Sequence, residues 1–430
     1  DCAGLYFDLT LSKAGFQVDV QGYGHKLPTL LASILDETQH MCAQGVGLDL
    51  FERMKERALR GFKNFLFWQP YYHAIVGSLT CMEEVRFSPP EKHAALTAAT
   101  LQDFTAFLHS LVQKMRAVLL VHGNATAEEA SDLTSLVCEK MPFSALPPAQ
   151  LPTRRVVQLG VGVGAGAGAG GLEGIMGGCM GGGSYLYRQH AALNNPEELN
   201  SAVENVYFVG LAHGSVAGGV TGADASLPQV QQEAMLELLA HMMSEPAFDQ
   251  LRTKEQLGYI VFTGTKRLGQ VLGLQLIAQS SHKNPDFLDR RVEVFLTTYR
   301  AQLGAMGEAE FEENVTAVVE KLLERPKNVD QEGEQLWAEV KSGTYWFARK
   351  TVLAGVLRGE GGVGGATLPA LLSFFDRFVQ ASPLRSKFSS QFYGKGTRYV
   401  RAEEGVELVG EPSAFRRSHS LMKVPAFAPC

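Results

Sequence analysis

The chain repeats itself, and this constrains its fold more than any other feature. Leu5 to Leu11 alternates apolar and polar side chains, apart from Tyr6-Phe7. Ser12-Lys13-Ala14-Gly15 reads as a turn, and Phe16 to Tyr23 alternates again, which is the pattern of a β-hairpin. Helical spacing follows over Leu27 to His40, with Pro28 near the start, and over Leu48 to Phe67, with Phe51, Met54, Ala58, Leu59 and Phe62 as the apolar set. About 260 residues later the order recurs. Tyr259 to Gly264 reads as a strand, Lys266 to Gly269 as a turn and Val271 to Ser280 as a strand; helices follow over Asn284 to Leu303 and Gly307 to Arg325. Phe51-Glu52 in the first copy answers to Phe311-Glu312, and Ala99-Thr100-Leu101 to Ala366-Thr367-Leu368. Hairpins followed by runs of helices specify an α+β chain of two homologous domains, each an antiparallel sheet packed by helices.

Between these copies the spacing predicts helices over Leu101 to Met115 and Ala127 to Glu139, and a buried strand over Val118 to Asn124. Residues 146–157, with Pro147, Pro148 and Pro152, read as a linker between a first domain at 1–145 and a second at 158–430. In the second copy a strand at Val203 to Gly210 and a helix at Val230 to Phe248 precede the hairpin. Nothing comparable precedes the first hairpin, so the first domain is expected to lack its front. Asp1 in place of an initiator Met agrees with a fragment.

Glycine is the compositional oddity. Of 45 glycines, 24 fall within residues 160–183, 210–222 and 355–365. They point to inserted loops, at 159–184, 210–227 and 355–366, in an otherwise conventional frame, because loop length costs little entropy. Gly166, Gly168 and Gly171 match G-x-G-x-x-G inside a Gly-Ala tract. The residues that follow, Leu172-Glu173-Gly174, do not open a helix, so a dinucleotide fingerprint is excluded. A net charge of −6 argues against nucleic-acid binding. No stretch is a membrane-span candidate, since Leu159 to Gly183 is mostly Gly and Ala. Six scattered cysteines without a C-x-x-C pair point to free thiols in a reducing, cytoplasmic setting.

None of the eleven histidines stands in H-E-x-x-H or H-x-x-E-H, and there is no G-x-S-x-G, so neither a metal ligand set nor a nucleophile elbow is predicted. The segment that stands out is Ser244 to Tyr259, which joins a helix end to a strand start. From that junction Arg252 and Tyr259 can point into one cleft. A guanidinium can bind a peptide carbonyl, and a phenol can donate a hydrogen bond to a developing oxyanion. An Arg paired with a carboxylate and a Tyr at a strand edge fit the same spacing.

The stretch Leu251-Arg252-Thr253-Lys254-Glu255-Gln256-Leu257-Gly258-Tyr259-Ile260-Val261-Phe262 closely resembles the signature of the insulinase/pitrilysin-type zinc metallopeptidases, the inverzincin group. The likeness extends to Gly273 to Ser280, Arg291-Val292-Glu293, Gln69-Pro70 with His73-Ala74, His122-Gly123-Asn124 and Phe415-Arg416-Arg417. The resemblance implies the C-terminal half of a clamshell of four homologous α+β domains, with the chain carrying a truncated third domain and a fourth. It implies that zinc is held by an H-x-x-E-H in a separate N-terminal half, that this chain binds none, and that its partners are that half and peptide substrates. Tyr259 would stabilise the oxyanion, Arg252 would hold the substrate backbone, and Phe248 would add a substrate contact. Alone, the chain is expected to be inactive. A catalytically inactive scaffold that keeps the fold is the alternative.

Overall fold

The computed structural model describes residues 4–12, 15–147, 150–151, 155–159, 182–191, 195, 197–212, 227–360 and 364–422. Most of the first two glycine-rich stretches lies outside the described residues. The first copy runs β1 (Tyr6–Ser12), β2 (Gly15–Gln21), α1 (Leu27–Gln44), α2 (Leu48–Asn64), α3 (Pro70–Met82), α4 (Pro89–Ala98), α5 (Leu101–Leu111), β3 (Lys114–Met115), α6 (Ala127–Lys140) and β4 (Ser144–Ala145). Then come β5 (Gly183–His190), β6 (Ser201–Leu211) and α7 (Leu227–Ala247). The second copy runs β7 (Ile260–Leu268), β8 (Val271–Ser280), α8 (Pro285–Gly304), α9 (Glu308–Leu323), α10 (Val329–Ser342), α11 (Arg349–Arg358), α12 (Leu368–Phe378), β9 (Ser386–Tyr393), β10 (Val406–Val409) and α13 (Pro412–Ser418).

The repeat is therefore one of element order. In each copy a hairpin is followed by five helices and then, after one strand in the first copy and two in the second, by a further helix. The shared Ala-Thr-Leu has a local cause: Thr100 and Thr367 are both N-caps, accepting from the backbone N–H of Asp103 at 3.2 Å and of Ala370 at 3.3 Å. Gly359 closes α11 in the left-handed region (φ 79°), so the third glycine-rich stretch begins inside a helix.

Two elements differ from the sequence reading. Lys266-Arg267 looked like a turn, yet β7 continues to Leu268, and the turn falls at Gly269 (φ 56°) and Gln270. Lys266 can lie in a strand because the fully buried Glu204 neutralises it. Residues 118–122 form no strand. Its counterpart in the second copy, β9, lies between β5 and β6, and among the described residues nothing flanks 118–122 in that way.

The chain divides into two compact units that interleave along the sequence. Unit 1 comprises 1–63, 89–153 and 326–338; unit 2 comprises 64–88, 154–325 and 339–430. In unit 1, β1 pairs antiparallel with β2, and α1 packs on β2 and α6 through Leu31, Leu35, Val18, Leu133 and Leu136. Unit 2 is built on a six-stranded sheet in the order β10-β5-β9-β6-β8-β7. The sheet is mixed rather than wholly antiparallel. β5 pairs parallel with β9 and β10, because β5 and β6 flank β9 instead of forming a hairpin. Strands β8 and β9 are buried throughout, as is β6 up to its last residue, since both faces of the sheet are covered.

On one face lies α3, which belongs to unit 2 although it comes early in the chain. Gly77 permits its close approach: a Cβ there would meet Gln189 Nε2 and Ser390 Oγ at 2.4 and 2.6 Å. His73 stacks on Phe392 with ring centroids 4.6 Å apart. The end of the stretch read as a linker, Val156-Val157, is core here, bridging Glu83 and Leu421. On the other face α8 presents Asp286, Asp289 and Glu293. Arg188 meets Asp286 at 3.0 Å, Lys387 meets Asp289 at 2.6 Å and Glu293 at 2.8 Å, and Arg385 meets Glu293 at 2.7 Å. Burial works against the charge on Lys387, but the two carboxylates outweigh it and hold its pKa above the ordinary lysine value.

Two outcomes follow. Lys387→Met leaves Asp289 and Glu293 without their central cation and is expected to lower stability by about 3–5 kcal/mol in urea titration; a loss near zero would contradict the pairing. Burial pushes the His73 imidazole down to about 4 from an ordinary 6.5, so between those values the unfolded chain binds more protons than the native one. Stability therefore falls as pH drops from 6.5 towards 4, by at most about 1.4 kcal/mol per pH unit from this group. A pH series of thermal midpoints is expected to be flatter for His73→Phe.

Candidate functional site

The junction between α7 and β7 is built by residues that hold the backbone still and leave two side chains outside. Beyond Ala247 the helix widens into a π-helical turn, Phe248–Lys254, a rare geometry concentrated at functional sites. Leu251 and Leu257 anchor it, at 1% and 2% exposure. Glu255 ties it to α8, accepting from Arg291 Nε and Nη2 at 2.6 and 2.7 Å and from Gln250 Nε2 at 2.8 Å. Arg291 holds the Glu255 carboxyl below its ordinary pKa, although burial works the other way. Gln256 takes a left-handed φ of 50°, turning the chain towards the sheet. Gly258 then passes so close to β8 that a Cβ would lie 1.8 Å from the Gln279 carbonyl oxygen.

What remains outside is a stack. The Arg252 guanidinium carbon lies 4.6 Å from the ring centroid of Phe248 and 4.6 Å from that of Tyr259. Tyr259 is 80% exposed and Phe248 41%. The three site residues named from the sequence are thus brought together. Among the described residues no carboxylate lies within ion-pair distance of Arg252. Both rings lie within cation–π distance of its guanidinium, and its N–H groups can bind carbonyl oxygens.

Sequence reasoning missed the residues that hold this stack. Glu255 and Arg291 both lie in the quoted likeness, but they are 36 residues apart and no local spacing links them. Gly258 carried a clearer signal, a glycine directly before a strand, where a close approach is common. Among the described residues, no three His, Cys, Asp or Glu side chains gather as a metal ion's ligands would. The zinc implied by the resemblance therefore does not fit the described residues of this chain.

Comparison with known proteins identifies the chain's relatives. Residues 1–95 match the middle or third domain of peptidase M16, and residues 238–337 match the PQQ synthase PqqF-like C-terminal lobe domain 4. The human insulin-degrading enzyme is 31% identical over 353 residues, covering 81% of this chain and 30% of that protein. The chain belongs to the insulinase/pitrilysin-type family. It is also 28% identical to an Arabidopsis thaliana protein named insulin-degrading enzyme-like 1, peroxisomal, over 91% of this chain and 36% of that one. The crystal structure of pitrilysin matches in fold with a TM-score of 0.76 at 22% identity, covering 98% of this chain and 39% of that one. The chain spans about a third of the length of the curated relatives it matches. No helix among the described residues is long and apolar enough to cross a membrane.

Gly258→Ala is expected to lower the thermal midpoint and displace the start of β7, because a backbone carbonyl cannot yield as a flexible side chain can; overpacking of this kind costs about 1–3 kcal/mol. An unchanged midpoint would show that the close approach does not constrain this turn.

Proposed function

We propose that this chain is the non-zinc-binding C-terminal half of a metalloendopeptidase, which encloses peptide substrates and contributes two side chains to peptide-bond hydrolysis. The observation that carries this reading is the Arg252 stack. It is a cation with no carboxylate partner among the described residues, held against an exposed phenol and a phenyl ring on a turn braced by Glu255 and Arg291. Arg252 holds a substrate carbonyl through its edge N–H groups, and the Tyr259 hydroxyl donates to the oxyanion that develops as a peptide carbonyl is attacked. Phe248 fixes the guanidinium plane and offers an apolar surface to a substrate side chain. Zinc is assigned to a partner half, on the same polypeptide or paired with it.

The chain alone is expected to hydrolyse no peptide, and addition of an N-terminal zinc-binding half is expected to restore turnover. In that intact enzyme, Tyr259→Phe removes one oxyanion donor and is expected to lower kcat about 10²–10³-fold. Arg252→Ala is expected to raise KM. Full activity of the Tyr259→Phe enzyme in a fluorogenic peptide assay would overturn the role given to Tyr259.

A further inference from the structure

Beside the stack, unit 2 contains a cleft of 1090 Å³ whose walls come from β7, α7, the end of α8 and one side of α9. Its volume is at or above the roughly 300–1,000 Å³ of small-molecule sites, and suits several residues of a peptide. One wall is the last strand of the sheet. β7 pairs with β8, and no other backbone group among the described residues bonds to it. Half of its N–H and C=O groups therefore face away from the sheet unpaired. Thr263 and Thr265 line the cleft from this strand. Thr263 is 6% exposed, and its hydroxyl has no hydrogen-bond partner among the described residues.

The facing wall is acidic. Glu237, His241 and Glu245 recur every fourth residue on one face of α7, and Glu310 joins them from α9. Glu237 is occupied by Arg349 at 3.0 Å. Glu245 and Glu310 have no ion-pair partner among the described residues. Lys321, the one cation among the described lining residues, lies near His241; with burial as the larger cause, it helps hold that imidazole below its ordinary pKa. Phe248, Phe262 and Tyr299 are aromatic parts of the lining, and Phe248 also belongs to the Arg252 stack.

We infer that this cleft binds an extended peptide segment, which adds to β7 as a further strand and directs a basic side chain to Glu245 and Glu310. Main-chain bonding to the edge gives affinity, and the acidic wall gives selectivity. The inference goes beyond the role proposed for Arg252 and Tyr259 and stands without it.

The test is binding to the 430-residue chain itself, with no hydrolysis measured. The probes are three fluorescein-labelled peptides, each of alternating Thr and Val between Gly-Ser ends. The first has a central Arg, the second has Glu in its place, and the third keeps Arg but is N-methylated at alternate residues. Fluorescence anisotropy is expected to show the Arg peptide binding at least tenfold more tightly than either of the others. Glu245→Lys with Glu310→Lys is expected to abolish the Arg-over-Glu preference. Both side chains are exposed, so the thermal midpoint is expected to hold; if it falls, the Gln pair at the same positions makes the comparison. Equal affinity for the Arg and Glu peptides, equal affinity for the N-methylated peptide, or no binding of any would each overturn the inference.

Discussion

The ion pairs beneath α8 fix the geometry on which the rest of unit 2 depends. Asp286, Asp289 and Glu293 sit on the sheet face of one helix, and each meets a cation rising from β5, β9 or the residue just before β9. Removing one partner from such a pair costs more than the pair contributes, because the other charge stays buried. The helix therefore has one strongly favoured seat on the sheet. Arg291 lies on the same helix, so that seat also sets where Glu255 is gripped, and with it the turn bearing Arg252 and Tyr259. A buried electrostatic register two strands away thus positions an exposed aromatic and its cation.

This arrangement explains which parts of the structure are legible in the sequence. Hairpins and amphipathic helices follow local rules, and β1–β2, α1, α8 and α9 lie within a few residues of where periodicity predicts them. Thr100 and Thr367 are legible for the same reason, because a cap acts within one turn. The failures are all non-local. Lys266 looked like a turn residue because its partner, Glu204, is 62 positions away. Residues 118–122 have the composition of a buried strand, but a strand needs flanking edges, and composition does not specify them. Strands β5 and β9, rich in Ser, Lys, Gln and Arg, were not recognised at all. The polar side chains of β9 are buried between α3 and α8, where Lys387 and Gln391 find partners.

The candidate site shows the same division. Arg252, Tyr259 and Phe248 could be named from the signature, since a short segment carries all three. The spacing left open whether Arg252 meets a carboxylate, and the structure resolves that by surrounding it with rings instead. A cation held by quadrupoles keeps its full charge and its edge donors, whereas a bidentate carboxylate would have consumed both. The rigid turn and the uncommitted cation are complementary features, because a side chain without an anionic partner needs another means of being held.

The interleaving of the two units has a consequence for how the polypeptide is made. Helix α3 is complete by Met82, yet the strand it packs against, β9, begins at Ser386. Synthesis at about 5–20 residues per second separates the two by roughly 15–60 seconds. Throughout that interval the sheet that α3 covers lacks its central strand β9 and cannot close. The molecule therefore carries this long-range contact as a demand on the ribosome and its attendant chaperones. A piece expressed from the Pro-rich stretch onward would reach its final strand with one face of its sheet uncovered.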